Sequence, residues 1–412
     1  MPLEIRQIRA DEIEAFLRAM SGPFAFDLPD EEPELEKMLD RFSSTFEVDR
    51  TRCAFDGAQM VGTLGAFTLG LTVPGGSVTC AGTTMVTVLA SHRRQGVLRQ
   101  LMDAHFAEAR DRGDPIAGLW ASDAAIYGRF GFGMAAVGAK YEIDRRHLAF
   151  HRLAPTGSPT RFVDASEAAE ILPQVYDAIR PTRPGMLARN EAWWKHRNLN
   201  DRPDRRDGAT AFRFAVSTGQ DGRPNGYAQF RVKEGWENGH GAHEVRIVEI
   251  MGTEASAFRG LLEVVLSHDL AIKITAWDRP LDDPVFDLFA SGRRAVPEVS
   301  DALWICLLDV AGALTARQYD SPGAAVLGVH DPKTGEATSW LLETDGVESS
   351  CSRTERTPEI ELDLEDLGSA YLGRARFGEL VRAGRASAEP ETARRLDRMF
   401  TWDPQPWCPE VF

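Results

Sequence analysis

The sequence predicts a chain of three domains, two of mixed α/β class and a third of α+β class. Its 412 residues exceed what a single hydrophobic core usually holds. The order strand, turn, helix, strand occurs in residues 85–121 and again in residues 244–277. From about Pro297 the chain changes to short strands separated by Gly, Pro and Asp, and then to helices. We therefore expect domain boundaries that give the ranges 1–154, 155–296 and 297–412.

The first domain is predicted to hold a partly antiparallel sheet, because strand-like stretches joined at glycine turns alternate with amphipathic segments. Apolar residues that recur with helical spacing mark the helices. The predicted elements are a strand at residues 3–9, helices at 11–20 and 33–42, strands around 51–56, 60–69 and 77–90, a helix after Gly96, a strand at 115–121 and a short aromatic segment at 123–132.

The second domain repeats this order without the basic turn of the first. Its turn, residues 252–260, carries Glu254, whose charge repels an anion. We infer a duplicated domain whose second copy keeps the fold and has lost the cofactor site. Its predicted elements are a strand at residues 244–251, a helix at 255–266, a strand at 271–277 and a short segment at 285–289. The third domain is predicted from a strand at 302–309, a helix at 310–317, short strands up to 363 and helices at 364–371, 377–383 and 391–400.

Residues 85–102 are the most informative stretch, because an apolar strand runs into a basic turn that opens an amphipathic helix. Free N–H groups in the first turn of a helix and its macrodipole favour an anion there. Gly96 allows the backbone to approach that anion closely. Arg93, Arg94 and Arg99 add positive charge. A solvated basic turn is the alternative, but the strand before and the helix after favour a phosphate site.

Composition limits the classes of partner. With 47 basic and 62 acidic residues the formal net charge is −15, which argues against nucleic acid and anionic lipid as partners. Such a charge attracts cationic substrates, or serves only solubility. The five cysteines are scattered without a C-x-x-C pair, so neither a disulfide framework nor a metal site is expected. No membrane span or signal peptide is apparent, which predicts a cytoplasmic protein and leaves signal-independent secretion open.

Residues 93–98 (RRQGVL), placed after a strand, resemble the coenzyme A pyrophosphate loop of GNAT-type N-acetyltransferases. The wider pattern resembles the Eis (enhanced intracellular survival) family through residues 86–88 (VTV), 92–94 (HRR), 121–123 (ASD), 126–132 (IYGRFGF), 183–189 (RPGMLAR), 193–194 (WW) and a final Phe. This resemblance implies two fused GNAT-like domains, the second degenerate, and a C-terminal domain similar to sterol carrier proteins. It also implies acetyl-CoA as cosubstrate, a homohexamer, and acetylation of amines on aminoglycosides or protein lysines.

The resemblance also assigns the cofactor site. Backbone groups of Val86, Thr87 and Val88 would bind the acetyl and pantetheine portions, with Ser122 and Asp123 near the acetyl end. Residues that would hold the pyrophosphate are Arg94, Gln95, Gly96, Val97, Leu98 and Arg99. General GNAT loops often have Gly or Ala where this chain has Leu98. Added bulk at that position would shift the phosphates, although leucine also suits the Eis pattern.

Tyr127 lies in the position of the family's proton donor. A tyrosine pKa of about 10 is close enough to the roughly 8.5 of a thiol for proton transfer to the departing thiolate. The alternative is that Tyr127 is an aromatic side chain that only packs against Phe130 and Phe132.

For the base, the resemblance points to the α-carboxylate of Phe412. Three prolines and the anchors Trp402 and Trp407 indicate a tail that is held in place, although the tail could also dock for packing alone. With an intrinsic pKa of about 3.3 to 3.7, this carboxylate suits orienting the amine and accepting its proton through a water. Asp27 and Glu410 are candidates for binding a cationic substrate, with surface or packing roles as the alternative.

Three functional hypotheses result. The leading one is an acetyl-CoA-dependent N-acetyltransferase that acts on amines of polycationic small molecules, at several positions. The second is a protein lysine acetyltransferase. The third is a non-catalytic protein that binds lipid or acetyl-CoA, which the basic turn beside Tyr127 disfavours.

Overall fold

The computed structural model describes residues 3–145, 148–291 and 295–412, apart from the side chain of Val296. Two compact units are formed. The first comprises residues 1–136, 303–403 and 410–412, and the second comprises residues 137–302 and 404–409.

The elements predicted for the first 136 residues are present with small shifts of their ends. The first long helix continues to Phe24, and the third strand is longer than predicted, reaching Val73. The elements are β1 (Glu4–Arg6), α1 (Ile13–Phe24), α2 (Glu32–Ser43), β2 (Cys53–Asp56), β3 (Gln59–Val73), β4 (Gly76–Val88), α3 (Val97–Asp111), β5 (Ile116–Trp120), α4 (Ala124–Tyr127) and β6 (Gly133–Met134).

The middle of the chain contains more strands than the sequence predicted. Residues 161–243 had no predicted element. In residues 224–233 the buried polar side chains of Gln229 and Arg231 hide the apolar alternation. Both side chains have polar partners, since the Gln229 amide donates to Asn198 O at 3.0 Å and Arg231 pairs with Asp201 at 2.5 Å. The elements are β7 (Val137–Asp144), β8 (Thr160–Val163), α5 (Ala165–Ile179), α6 (Glu191–Trp193), β9 (Arg213–Thr218), β10 (Pro224–Lys233), β11 (Trp236–Glu237), β12 (His240–Gly241), β13 (His243–Gly252), α7 (Ala255–Leu266), β14 (Ala271–Arg279), α8 (Val285–Leu288) and β15 (Ala295–Asp301).

The last part of the chain follows the predicted order of strand, helix, short strands and helices. Its elements are β16 (Leu303–Leu307), α9 (Val310–Thr315), β17 (Gly323–His330), β18 (Ala337–Thr344), β19 (Ser349–Arg353), β20 (Ile360–Asp363), α10 (Leu364–Ala370), α11 (Phe377–Arg382), β21 (Ala386–Ala388) and α12 (Pro390–Phe400). Within the described residues, β19-β18-β17-β20-β21 form a five-stranded sheet that belongs to the first unit.

The two large sheets exchange strands along the chain. Among the described residues, the first sheet has the order β1-β2-β3-β4-β5-β16-β6 and the second has the order β15-β7-β14-β13-β10-β9-β8. Strand β7 pairs with β14 and β15, whereas β16 pairs with β5 and β6. The structural units therefore divide at 136/137 and 302/303. The reason is that a strand joins the sheet that satisfies its backbone hydrogen bonds, whatever its place in the sequence.

Helix α10 packs directly on the end of the first sheet. An added Cβ at Gly133 would lie 1.8 Å from Glu365 O, and one at Gly368 would lie 2.3 Å from Ile305 O. Backbone approaches backbone at both positions, which only glycine permits. This close contact places the third-domain sheet and the first sheet in one compact unit.

The RPGMLAR segment, residues 183–189, holds the tail segment 404–409 within the second unit. The amide of Trp407 donates to Pro184 O at 2.9 Å, and its indole Nε1 donates to Asp278 O at 2.9 Å. Gly185 adopts φ +94°, and an added Cβ there would lie 2.6 Å from Trp407 O. The motif is thus a dock for the tail.

Three properties of the described part of the chain bear on function. No described helix is long and apolar enough to cross a membrane. No group of three or more His, Cys, Asp or Glu side chains that could hold a metal ion occurs in residues 3–145, 148–291 and 295–412. All five cysteines have free thiols.

Candidate active site

A β-bulge changes the direction of the end of β4. The pairing of β3 with β4 shifts register between Thr63 and Gly65, and Met85 adopts φ 55° on the bulged side. The Thr63 hydroxyl donates to Met85 O at 2.8 Å and so holds the bulge. A positive φ at a residue with a side chain is strained, and such strain concentrates at functional sites. Residues 84–86, 88 and 89 are consequently half-buried, although the sequence predicted a covered strand there.

Beside the bulge, β4 separates from β5. The two strands pair in parallel only from Cys80 to Gly82 and from Ile116 to Gly118, although both continue further. Past Gly82 the strands leave an opening, and the residues 86–88 lie along its β4 side. The topology thereby places the end of β4, whose backbone groups do not pair with β5, beside the start of α3.

The turn before α3 has the geometry expected of an anion site. Arg94 and Gly96 adopt φ 62° and 79°, and α3 begins at Val97. In this described helix no side chain caps the first turn and no acidic residue lies in it. The first amides therefore point at the opening without a partner from the cap. Gln95 turns away, since its side chain donates to Ser91 O at 3.0 Å.

One cavity of about 830 Å³ joins these features. It is built from the first unit alone. Of the residues predicted to bind the cofactor or to act in catalysis, those that line it are Val86, Thr87, Val88, Arg94, Gly96, Val97, Leu98, Arg99, Ser122, Asp123 and Tyr127. Arg93, which was predicted to add charge to the phosphate site, also lines the cavity. The remaining lining residues had no predicted cofactor or catalytic role and are Pro23, Phe24, His92, Ile126, Arg129, Phe130, Pro332 and Lys333. The predicted residues Gln95, Asp27, Glu410 and Phe412 are not among the described residues that line it.

Tyr127 is 5% exposed at the end of α4 and borders the cavity. Burial raises its pKa above the ordinary value, more than the hydrogen bond with Ser122 lowers it, and the nearby charge of Asp123 raises it further. The phenol therefore stays protonated at neutral pH and is available to donate. Its ring also meets Phe132 edge-on at a centroid distance of 6.1 Å. The Tyr127 side chain therefore both packs against Phe132 and borders the cavity.

Asp123 fixes the short helix that carries Tyr127. Its carboxylate caps α4 by accepting from the amide of Ala125 at 3.0 Å. Asp123 thus caps the helix that carries Tyr127 and also borders the cavity.

The last residue lies where β4 and β5 part. The ring of Phe412 is buried, and its Cε2 atom would be 3.3 Å from an added Cβ at Gly82, the last residue of β4 that pairs with β5. Glu410 is also buried, whereas Asp27 is exposed three residues beyond Phe24 at the end of α1. The C-terminal residue is therefore placed in the first unit near the base of the opening.

A buried histidine beneath β4 is not a candidate base. His105 Nε2 lies 2.8 Å from the Thr83 hydroxyl, and burial lowers the histidine pKa to about 3. A side chain with so low a pKa is too weak a base for an amine. His105 is completely buried on the apolar face of α3.

In the described residues of the second unit, the region that matches this site is arranged differently. Strands β13 and β14 pair in parallel from His243 to Ile247 and from Ala271 to Ala276. Past this pairing Trp407 donates to Asp278 O and packs in one cluster with Met251. At the start of α7, Glu254 accepts from the Asn225 amide at 2.8 Å. At the helix start, the second unit thus has the carboxylate of Glu254 where the first has arginines. Past the paired strands, it has the indole of Trp407 where the first has an opening.

Three family models match the chain in order. A model described as an acetyltransferase (GNAT) domain matches residues 4–135, another with the same description matches 185–312, and a sterol carrier protein domain matches 310–409. These matches confirm the predicted fold class of two GNAT-like domains followed by a sterol-carrier-protein-like domain.

Similar proteins extend the comparison to the whole chain. An uncharacterized N-acetyltransferase from Streptomyces coelicolor is 35% identical over all of both chains. N-acetyltransferase Eis from Mycobacterium tuberculosis is 31% identical over 84% of each chain. The crystal structure of Eis1 from Mycobacterium abscessus superposes with a TM-score of 0.84 at 29% identity, covering all of both chains. The similarity thus reaches far beyond the basic turn at residues 93–98.

Proposed function

Because this chain belongs to the Eis family of GNAT-type N-acetyltransferases, we propose that it transfers the acetyl group of acetyl-CoA to amines of polycationic small molecules such as aminoglycosides, at more than one nitrogen. The observation that carries this proposal is one cavity where the bulged strand end, the uncapped basic helix start and Tyr127 meet. The net charge of −15 supports a cationic acceptor, since an acidic field concentrates cations.

In this proposal the cosubstrate lies between β4 and α3. Backbone groups of residues 86–88 hold the acetyl and pantetheine portions, because the bulge and the lost pairing with β5 leave them accessible. The amides that open α3 hold the pyrophosphate, with Arg94 and Arg99 supplying charge. Gln95 would act through its backbone, since its side chain is bonded to Ser91. Ser122 supports the reaction through its hydrogen bond with Tyr127.

The chemistry then needs two proton transfers. The neutral amine nitrogen attacks the thioester carbonyl carbon, and a backbone amide at the bulged end of β4 stabilises the oxyanion that forms. As the tetrahedral centre collapses, the C–S bond breaks, its electron pair goes to sulfur, and Tyr127 gives the sulfur a proton. The carboxylate of Phe412 accepts the proton of the amine through a water. Transfer through solvent returns that proton to Tyr127.

Two carboxylates are proposed to bind the acceptor. Asp27 is exposed three residues beyond Phe24, which borders the cavity. Glu410 is buried and lies two residues before Phe412 in the sequence. Negative charge at these positions favours a substrate with several ammonium groups over one with a single amine.

An acceptor screen tests the proposed function. We expect thiol release from acetyl-CoA with kanamycin or tobramycin, and mass spectrometry of the product should show more than one acetyl group. Lysine-containing peptides serve as the comparison, because they separate a small-molecule enzyme from a protein lysine acetyltransferase through kcat/KM. A broad panel of amines with no acceptor would refute the proposal, and higher kcat/KM on peptides would transfer it to protein substrates.

The proposed assembly is a homohexamer. Val248 and Trp277 support an interface in the second unit, since they are 46% and 54% exposed and follow directly after the paired residues Ile247 and Ala276 of neighbouring strands. Sedimentation equilibrium is expected to give six times the chain mass of 45.5 kDa. A monomer or dimer at micromolar concentration would contradict this assembly.

A further inference from the structure

The third domain reaches the cavity of the first. The loop between β17 and β18 places Pro332 and Lys333 on the cavity wall, within the same compact unit as the basic turn. These residues follow Leu98 in the sequence by more than 200 positions, and the sequence analysis assigned them no role.

Local hydrogen bonds hold this loop in shape. The Asp331 carboxylate accepts from the Lys333 amide at 2.8 Å, and Asp331 O accepts from the Gly335 amide at 2.8 Å. The amide of Asp331 in turn donates to Glu336 O at 2.9 Å. Gly335 has φ +73°, which the tight turn requires. The loop thus presents Lys333 from a backbone that needs little ordering when a ligand binds.

The Lys333 ammonium lies above α3, away from its first turn. Its Nζ atom is 2.6 Å from Asp103 Oδ1 and 5.9 Å from the centroid of the Phe106 ring. The side chain remains 27% exposed. Arg129 borders the same cavity, and its guanidinium stands 5.1 Å from the Phe130 ring centroid. Two cations therefore face the cavity from elements other than the basic turn.

The charges of the cavity match a ligand with two separate anionic groups. Arg94 and Arg99 belong to the helix start, where the proposed function places the diphosphate. Asp123 is the carboxylate among the described lining residues, and the Ala125 amide already engages it. Coenzyme A carries, besides its diphosphate, a monophosphate on the ribose 3′ oxygen. Arg93 also lines the cavity, but it belongs to the basic turn, where its Nε atom donates to Val88 O at 3.4 Å. Lys333 and Arg129 are lining cations outside that turn and can meet the second group.

We propose that Lys333 of the third domain, together with Arg129, binds the ribose 3′-phosphate of acetyl-CoA. This inference rests on the proposed function, because it takes acetyl-CoA as the cosubstrate. An ammonium and a guanidinium both form charge-assisted hydrogen bonds with phosphate oxygens. On binding, Lys333 exchanges its contact with Asp103 for the phosphate. The third domain thereby becomes part of the cofactor site.

A purely structural role of Lys333 predicts a different result for two variants, Lys333→Ala and Asp103→Asn. If Lys333 only ties the loop to α3, then Lys333→Ala and Asp103→Asn remove the same ion pair and act alike. If Lys333 binds phosphate, the two variants differ in direction. Lys333→Ala removes the binding group, whereas Asp103→Asn removes the carboxylate that competes for it.

Calorimetric titration of the full chain with coenzyme A and with 3′-dephospho-coenzyme A tests the proposal. Loss of a hydrogen bond to a charged group corresponds to about tenfold or more in affinity. We expect Lys333→Ala to weaken coenzyme A binding by about tenfold and to leave binding of the dephospho form unchanged. Arg129→Gln is expected to act in the same direction. Asp103→Asn is expected to bind coenzyme A as tightly as the unaltered chain or more tightly.

The control is Lys140→Ala, since Lys140 is an exposed lysine of the second unit that pairs with Glu298 at 3.5 Å. It is expected to bind both ligands normally. Equal weakening of both ligands by Lys333→Ala, or weakening by Asp103→Asn of the same size, would overturn the phosphate role. Failure of the unaltered chain to bind either ligand would instead overturn the proposed function. Thermal unfolding of each variant identifies any loss that comes from misfolding.

Discussion

Replacing Tyr127 with Phe is expected to lower kcat by about 10² to 10⁴, the usual range for loss of a general acid. The substitution removes the hydroxyl that would protonate the departing thiolate. It keeps the ring and its contact with Phe132, so folding and the KM for acetyl-CoA should be preserved. Steady-state kinetics with a saturating amine measure the effect.

The pH profile gives a second readout of the same substitution. Burial raises the pKa of Tyr127, so the protonated, donating form persists to higher pH than an ordinary tyrosine with a pKa of about 10. In the unaltered chain kcat should fall only above that raised pKa. In the Tyr127→Phe variant this alkaline fall should disappear.

A matched control is Tyr141→Phe, which removes the hydroxyl of a buried tyrosine in the second unit. That hydroxyl makes a 3.5 Å contact with Pro280 O and lies outside the cavity-lining set. The control is expected to retain its kcat. If Tyr127→Phe were equally active, Tyr127 would have only the packing role that the sequence left open.

Appending one glycine after Phe412 is expected to lower kcat/KM for the amine by about 10² or more, within the range for a lost general base. The extension converts the carboxylate at Phe412 into a neutral amide and moves the new terminus by about 3.8 Å. Coenzyme A binding should be unaffected, because the residues proposed to hold it lie on β4, the basic turn with α3, the segment at Arg129 and the loop at Lys333. The measurements are thiol release and calorimetric titration.

Phe412→Leu separates the carboxylate from the ring. This variant keeps the terminal carboxylate and part of the apolar contact with Gly82. If the carboxylate takes the proton, Phe412→Leu should keep most of its activity while the extended chain loses it. Equal loss in both variants would mean that the ring, by packing, is what matters. An active extended chain would remove the base assignment altogether.

Most helices and strands of the first and third domains could be predicted from local sequence patterns. The helices α2, α3, α7 and α12 were predicted within a few residues because an apolar stripe needs only neighbouring residues to be recognised. The strand β10 was missed because Gln229 and Arg231 are buried with polar partners, which breaks the apolar alternation. The exchange of β7 and β16 between the sheets was also missed, because strand pairing is a long-range property.

The parts of the candidate site that form contiguous motifs could also be predicted from the sequence. The basic turn, Gly96 and the start of α3 are contiguous, and residues 126–132 form one motif, so both were found in the sequence. Lys333 was not found, since a single lysine in a polar loop gives no pattern. A hairpin loop of the form DPKTG indicates a rigid turn, but it does not indicate which surface the turn faces.

By itself the sequence determined the family, the order of the three domains and the one basic helix start that suits a phosphate. These depend on propensities, turn chemistry and amide geometry within a few residues. Only the tertiary structure decided that β4 and β5 part after Gly82, that Phe412 lies at that point and that Lys333 shares the cavity of Tyr127. Residues hundreds of positions apart meet only through sheet pairing and helix packing, which bury surfaces that no local pattern specifies.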